Sequence, residues 1–187
     1  MNENKEAVAR KGKKGDFVTN CFDIVSIVAT AIVTVALAFI FLFRTVGVNG
    51  NSMWPTLNHA DRIILTASYF EPSNGDIVVT CQPCVDPVPD VLVKRVIATE
   101  GQKVNIDFVR GVVYVDGVAL DEPYVADPTY EREDFTGEVT VPEGYVFVMG
   151  DNRNNSTDSR DNRVGFIREE YVLGKAFFRV APFGKIA

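Results

Sequence analysis

The chain has 187 residues, enough for one domain of ordinary size, and a formal net charge of −6. Residues 45–187 carry 13 basic and 21 acidic side chains, a net charge of about −8. This balance argues against nucleic acid as a partner, because phosphate binding needs a basic face. It also argues against tight electrostatic docking on anionic lipid.

A long apolar run comes first along the chain. Residues 24–43, IVSIVATAIVTVALAFIFLF, contain no charge and are long enough to cross ~30 Å of hydrocarbon at ~1.5 Å per residue. A cleaved signal peptide has a shorter apolar core followed by small residues, whereas this run ends in bulky side chains. A buried core helix is the alternative, but it would normally show a polar stripe. We predict a transmembrane anchor over 21–44, after a basic segment over 1–20.

Basic residues are distributed unevenly around this apolar run. Five of them precede it, whereas Arg44 alone follows closely. Positive residues favour the cytoplasmic side of a membrane. We therefore predict a single-pass protein of the cell membrane, with a cytoplasmic N-terminus and residues 45–187 outside. The five preceding residues are Lys5, Arg10, Lys11, Lys13 and Lys14.

Residues 45–187 show almost no helical periodicity. Short runs rich in β-branched and aromatic residues alternate instead with turn sequences such as PSNGD and PEG. Asp116-Gly117 has the composition of a tight hairpin turn. The pattern predicts a mainly β, antiparallel domain with an irregular excursion over 121–140. The predicted strands cover 62–67, 76–80, 91–98, 103–107, 111–115, 145–149 and 175–180.

The segment 49–57, NGNSMWPTL, places one serine in a turn-prone stretch nine residues beyond the apolar run. A serine is a poor nucleophile until a base removes its proton. The single histidine, His59, lies in a polar turn, and we interpret it as a surface residue. Gly50 would let the backbone approach a substrate closely, and Pro55 would help to fix the turn that presents Ser52.

The segment VLVKRVIA, 91–98, has apolar residues on both faces, which predicts a strand that is covered on both sides. Leu92, Lys94 and Val96 share one face by the two-residue period of a strand. Burial of an unpaired ammonium lowers its pKa, and a lysine that is neutral near pH 8 can act as a general base. The alternative is an edge-strand lysine that extends to water.

The segment GDNRNNSTDSRDNRVGF, 150–166, is dense in hydrogen-bonding side chains. It does not match a calcium loop, because the sixth and twelfth positions counted from Asp151 are Ser156 and Asn162 rather than Gly and Glu. We predict no metal. The segment follows an apolar run directly and mixes Asp with Arg, which favours internal ion pairs that could position a neighbouring base. A solvated loop is the alternative.

The chain has three cysteines, and two of them, Cys81 and Cys84, form the sequence CQPC. A single CxxC lacks the second ligand pair that a zinc site would need. It also lacks the alternating strand and helix pattern of a redox motif. Two alternatives remain, a local disulfide and two free thiols. We favour the disulfide, because the predicted compartment is oxidising.

Four segments in order, behind an N-terminal anchor, resemble the motif boxes of bacterial type I signal peptidases. NGNSMWPTL (49–57) resembles the serine box, and NGDIVV (74–79) resembles the strand box that follows it. VLVKRVIATEGQKV (91–104) resembles the lysine box, and MGDNRNNSTDSRDNRVGFI (149–167) resembles the last box. The short length and single apolar run resemble the single-span enzymes of Gram-positive bacteria.

The resemblance implies a serine endopeptidase that removes signal peptides from exported preproteins after small-x-small motifs, without metal or cofactor. Ser52 would be the nucleophile and Lys94 the general base. Ser156 would orient the lysine through a hydrogen bond. The backbone N–H of Ser52 would serve the oxyanion hole, and Gly50 stands where some relatives have a second, hydroxyl donor. The supporting ionic residues would be Asp158 with Arg160, and Asp151 with Arg95.

The family's substrate binds in an extended form as an added strand, with small residues in two shallow apolar pockets. The partners would therefore be signal peptides and the lipid membrane. The candidates that would line the pockets, by position, are Val46, Val48, Met53, Leu57, Leu92 and Val93.

Two other interpretations remain. One is a catalytically silent, membrane-anchored β module that binds exported chains. The other is a Ser/Lys peptidase with one dedicated substrate. The presence of both Ser52 and Lys94 favours an active peptidase over the silent module.

Overall fold

The structure, a computed structural model, describes residues 20–37, 43–66, 70–83, 88 and 91–186. Contacts divide the chain into two units, Met1–Leu42 and Phe43–Ala187. Because the described residues begin at residue 20, the predicted basic segment over 1–20 lies almost entirely outside them.

The first unit contains helix α1, Asn20–Leu37, which is long and apolar enough to cross a membrane. Its side chains are exposed along its whole length. Two of its few polar groups bond within the helix, since Thr30 Oγ1 donates to Ser26 O and Thr34 Oγ1 donates to Thr30 O, both at 2.8 Å. Such internal bonds suit a helix in lipid, where no water can satisfy a polar group. The prediction of one N-terminal apolar helix is confirmed.

The second unit is built from short strands. One short 3₁₀ turn, Glu169–Tyr171, interrupts them between the tenth and the eleventh. The strands in chain order are β1 (Phe43–Gly47), β2 (Arg62–Thr66), β3 (Ile77–Cys81), β4 (Val91–Ala98), β5 (Lys103–Asp107), β6 (Val112–Val115), β7 (Val118–Ala119), β8 (Val139–Thr140), β9 (Tyr145–Met149), β10 (Ile167–Arg168), β11 (Val172–Ala181) and β12 (Gly184–Lys185).

These strands form two sheets among the described residues. The larger sheet has the order β1-β2-β11-β3-β4-β9-β10, with β12 added beside β11, and the smaller has the order β7-β6-β5-β8. Every pairing is antiparallel. The prediction of a mainly β, antiparallel domain is confirmed. Strand β4 lies inside the larger sheet between β3 and β9, and this central place fixes the position of Lys94.

Apolar side chains form three buried clusters. One lies under β2 and β3 and includes Met53 and Leu57. A second joins the smaller sheet to β9 through residues such as Val104 and Phe147. The third covers the other face of β3, β4 and β9 around Val96. Because clusters cover both faces of β3 and β4, these two strands read as nearly continuous apolar runs.

The predicted hairpin turn is present between β6 and β7. Val115 pairs with Val118, and both Asp116 (φ 52°) and Gly117 (φ 77°) have positive φ. Two positive φ values are what a two-residue type I′ turn requires, which explains the Asp-Gly sequence.

Some boundaries differ from the sequence prediction. Phe43 and Arg44, placed at the end of the anchor, belong to strand β1, which pairs with β2 over its whole length. The short strands β8, β10 and β12 were also missed, because two residues show no period.

The predicted disulfide would join Cys81 to Cys84. Cys81 is a free, exposed cysteine at the end of β3. This observation is against the predicted disulfide, whose second member, Cys84, lies outside the described residues.

Candidate active site

The serine segment folds as a compact turn over residues 51–57. Met53 and Leu57 are four residues apart, and the backbone N–H of Leu57 donates to the carbonyl oxygen of Met53 at 2.9 Å. Both side chains are fully buried in the apolar cluster below β2. Their burial fixes the turn and leaves Ser52 half-buried on the side of a cavity.

Lys94 lies in the middle of a central strand. It pairs with Val78 of β3, and only 2% of its surface is exposed. Burial lowers the pKa of its amine to about 8, while the nearby Asp158 carboxylate opposes this shift. The alternative of an edge-strand lysine that extends to water is therefore wrong.

A hydrogen-bonded chain runs from Lys94 into the loop after β9. Lys94 Nζ donates to Ser156 Oγ at 2.9 Å, and Ser156 Oγ donates to Asp158 Oδ2 at 2.8 Å. The backbone N–H of Gly150 donates to the same Asp158 oxygen at 2.9 Å. This chain fixes the position of the amine, because both partners of Ser156 are themselves buried.

Asp158 and Arg160 form a buried ion pair behind this chain. Arg160 Nε donates to Asp158 Oδ1 at 2.9 Å, and Nη2 donates to Oδ2 at 2.9 Å. Burial alone would raise the pKa of Asp158, but Arg160 holds it below its usual range. The remaining Arg160 donors reach backbone oxygens of Glu131 and Arg153 at 2.7 Å. The loop is therefore an ordered wall, and the solvated-loop alternative is wrong.

A second buried ion pair connects the serine turn to β4. Arg95 Nε and Nη2 donate to the two oxygens of Asp151 at 2.8 and 2.7 Å. Thr56 Oγ1, in the serine turn, donates to Asp151 Oδ2 at 2.5 Å. The Arg95 guanidinium lies 3.8 Å from the centre of the Tyr124 ring. Asp151 thus holds the strand of Lys94 and the turn of Ser52 at a fixed separation.

Sequence reasoning missed Thr56 and Tyr124. The signal for Thr56 was a hydroxyl four residues beyond Ser52 in the same turn, where a buried carboxylate could accept from it. No pattern marked Tyr124, which comes from the irregular excursion over 121–140 and joins the site through the fold alone.

Backbone groups also join the serine turn to the loop after β9. The backbone N–H of Asn152 donates to the carbonyl oxygen of Ser52 at 2.9 Å, and Asn152 Nδ2 donates to Asn51 O at 3.1 Å. The backbone N–H of Gly50, at φ 96°, donates to Nδ1 of His59 at 3.2 Å. His59 is exposed, as expected for a surface turn residue.

Ser52 and Lys94 line one cavity of about 330 Å³. Most of the residues that line it have polar side chains, and Asn155, Thr157 and Arg163 are among them. No group of three acidic, histidine or cysteine residues able to hold a metal ion occurs in the part of the chain that the structure describes.

The predicted pocket-lining residues divide into two groups. Leu92 lines the cavity that contains Ser52 and Lys94. The other five belong to the apolar cluster below β2 or pack against it, and they are not part of the cavity wall. A role of these five in substrate binding stays a prediction. They are Val46, Val48, Met53, Leu57 and Val93.

Comparisons with known proteins agree on one family. The family model described as signal peptidase, peptidase S26, matches residues 21–181. A probable signal peptidase I-1 of Synechocystis sp. is 36% identical over 84% of this chain and 81% of its own length. A signal peptidase I of Bacillus amyloliquefaciens is 39% identical over 81% of this chain and 82% of its own length.

A solved structure is also similar. The crystal structure of a signal peptidase I from Enterococcus faecalis is 31% identical, covers 58% of this chain and 98% of that chain, and gives a TM-score of 0.45. The assignment of a family depends on the sequence matches, which extend over most of the chain. The chain therefore belongs to the signal peptidase family, peptidase S26.

Proposed function

We propose that this chain removes signal peptides from exported preproteins by means of a Ser52/Lys94 dyad. The observation that carries the proposal is the buried amine of Lys94, whose pKa is lowered to about 8, in the same cavity as the half-buried Ser52. A lysine with this pKa is neutral in a useful fraction of molecules near neutral pH and can accept a proton from a serine hydroxyl.

The mechanism has two chemical steps. Neutral Lys94 takes the proton of Ser52, whose oxygen attacks the carbonyl carbon of the small residue before the cleavage site. The backbone N–H of Ser52 stabilises the oxyanion. Collapse of this intermediate breaks the peptide bond, and Lys94 returns the proton to the leaving amine. Lys94 then activates a water molecule, which hydrolyses the ester and frees the signal peptide.

The buried wall serves to hold the base in position. Ser156 accepts a hydrogen bond from Lys94, and its own hydroxyl proton is directed to Asp158. The Lys94 amine therefore has few accessible orientations, which reduces the entropy that must be lost on reaching the transition state. Asp151 contributes in a different way, since it holds Thr56 of the serine turn against Arg95 of β4.

The substrate would bind in an extended form, with a small residue against the cavity wall at Leu92. Helix α1 would anchor the enzyme in the cell membrane, with the basic N-terminus in the cytoplasm and the β domain outside. Ser52 follows the apolar run by nine residues. A short tether of this kind would raise the local concentration of the site near a membrane-held cleavage bond.

The test is cleavage of a preprotein by the full chain in detergent micelles, with the new N-terminus of the product sequenced. We expect a cut after a small-x-small motif that disappears in Ser52→Ala and persists in Ser73→Ala, an exposed serine outside the cavity. Cleavage by Ser52→Ala at the same bond would show that Ser52 is not the nucleophile. Binding without cleavage by the wild type would favour the silent module.

A further inference from the structure

The segment 131–135 lies against the ion pair behind Lys94. Arg160 Nη1 donates to the carbonyl oxygen of Glu131 at 2.7 Å, and the backbone N–H of Asp134 donates to the carbonyl oxygen of Arg160 at 3.2 Å. Glu133, between them, has φ 51°. A positive φ is uncommon for a residue other than glycine and is kept when surrounding contacts impose it.

The Glu133 side chain is partly buried in this wall. Its Oε2 atom is buried and has no hydrogen-bond partner within the ranges that the structure describes. Burial, and then the Asp158 carboxylate, raise the pKa of Glu133 to about 7. A buried oxygen without a partner costs free energy and calls for an explanation.

The charged surroundings of Glu133 overlap those of Lys94. The Asp158–Arg160 pair acts on both groups, and the Glu133 carboxylate itself favours the ammonium form of Lys94. Three other charged groups act on one of these two side chains. Asp151 acts on Lys94, and Asp161 and Arg163 act on Glu133.

We propose that Glu133 is a positioning residue that adjusts the proton affinity of the Lys94 amine from behind the Asp158–Arg160 pair. The inference rests on the proposed function of Lys94 as the base. Glu133 does not touch the substrate in this account. It acts through charge alone, and the fold holds it there through the contacts of Glu131 and Asp134 with Arg160.

The direction of the effect follows from the order of the two titrations. Below about pH 7 the Glu133 carboxyl is neutral and leaves Lys94 unaffected. As the pH rises through 7 the carboxyl ionises and stabilises the ammonium, so that Lys94 gives up its proton at a higher pH than it otherwise would. Well above pH 8 the amine is neutral in either case. Glu133 therefore affects the protonation of Lys94 mainly between about pH 7 and about pH 8.

The experiment compares the full-length wild type with Glu133→Gln, which stays neutral at every pH, and with Glu143→Gln as an exposed control in a turn. Carbon-13 NMR of lysine labelled at Cε gives the Lys94 titration in micelles without any need for activity. Preprotein cleavage between pH 6 and 9 gives a second readout. We expect Glu133→Gln to cleave roughly twofold to threefold faster than wild type between pH 7 and 8, with the two curves converging at pH 6 and at pH 9.

The outcomes separate the two proposals. A Lys94 titration that moves to lower pH in Glu133→Gln and not in Glu143→Gln supports the inference, even if no preprotein is cut. An unchanged titration overturns it and leaves the peptidase intact. If Glu133→Gln does not fold, wild type labelled at glutamate Cδ answers the question. A Glu133 resonance that titrates below pH 5 would contradict the inference.

Discussion

Gly150, in the loop after β9, lies close both to the serine turn and to Ser156. A Cβ added there would lie 2.6 Å from Ser156 Cβ, and nearer still to Ser156 Oγ and the carbonyl oxygen of Ser52. Ordinary contacts of this kind begin at 3.4 Å. Gly150→Ala therefore requires Ser156 to move away from residue 150 by roughly 0.8 Å, the difference between 3.4 and 2.6 Å, and requires the carbonyl group of Ser52 to move away as well.

Such displacements would reduce the rate of cleavage more than they reduce the stability of the fold. Ser156 would move away from Lys94 or from Asp158, whose hydrogen bonds to it are 2.9 and 2.8 Å long. A misplacement near 1 Å costs about a hundredfold in rate, and overpacking costs about 1–3 kcal/mol in stability. We expect Gly150→Ala to lower kcat for preprotein cleavage about a hundredfold, while the chain remains folded.

The assay is steady-state cleavage in micelles, with thermal unfolding measured on the same samples. Gly47→Ala is the matched control, because a Cβ at Gly47 meets no atom within 4 Å. It should cleave at the wild-type rate. If Gly150→Ala also cleaved at the wild-type rate, Ser156 would have no role in orienting Lys94, and the account of the wall would be refuted.

Two further predictions concern the wall. Ser156→Ala removes the hydroxyl that accepts from Lys94, and we expect kcat to fall about tenfold or more, with the acidic limb of its pH profile moved to lower pH because the ammonium has lost a partner. An unmoved pH profile would contradict this role. Asp158→Asn leaves the buried Arg160 without its carboxylate, and we expect urea unfolding at pH 7 to show a loss of about 3–5 kcal/mol. Because the pKa of Asp158 is held low in the folded state, that difference should shrink as the pH falls below about 4, and a loss independent of pH would contradict the charge pairing.

Much of the sheet could be predicted from the sequence. Strand β4 was predicted at its observed bounds, because its apolar, mostly β-branched residues, interrupted by Lys94 and Arg95 alone, lie between two turns. Strand β1 was missed, since its five residues begin inside the long apolar run, at Phe43, and give no separate period. The local sequence indicates whether a segment forms a helix, a strand or a turn. Pairing with a distant strand, as of β1 with β2, depends on the rest of the fold.

The site shows the same division. The apolar neighbours of Lys94 on its own strand indicated burial as one alternative, and the structure selects it over the edge-strand lysine. The inward direction of Met53 and Leu57 did not follow, because a turn has no period that separates a buried face from an exposed one. Tyr124 and Glu133 could not be found at all, since their place in the site depends on how the irregular segment over 121–140 folds back onto the sheet.

The central claim is that neutral Lys94 removes the proton of Ser52. The most direct test is kcat/KM for preprotein cleavage from pH 6 to 10, for the wild type and for Lys94→Ala. With the pKa of Lys94 at about 8, the wild-type value should rise about tenfold per pH unit below pH 8 and then level off. Lys94→Ala should stay folded and cut at no pH. A wild-type value that is flat over this range, or an Ala variant that cuts the same bond at a comparable rate, would contradict the claim.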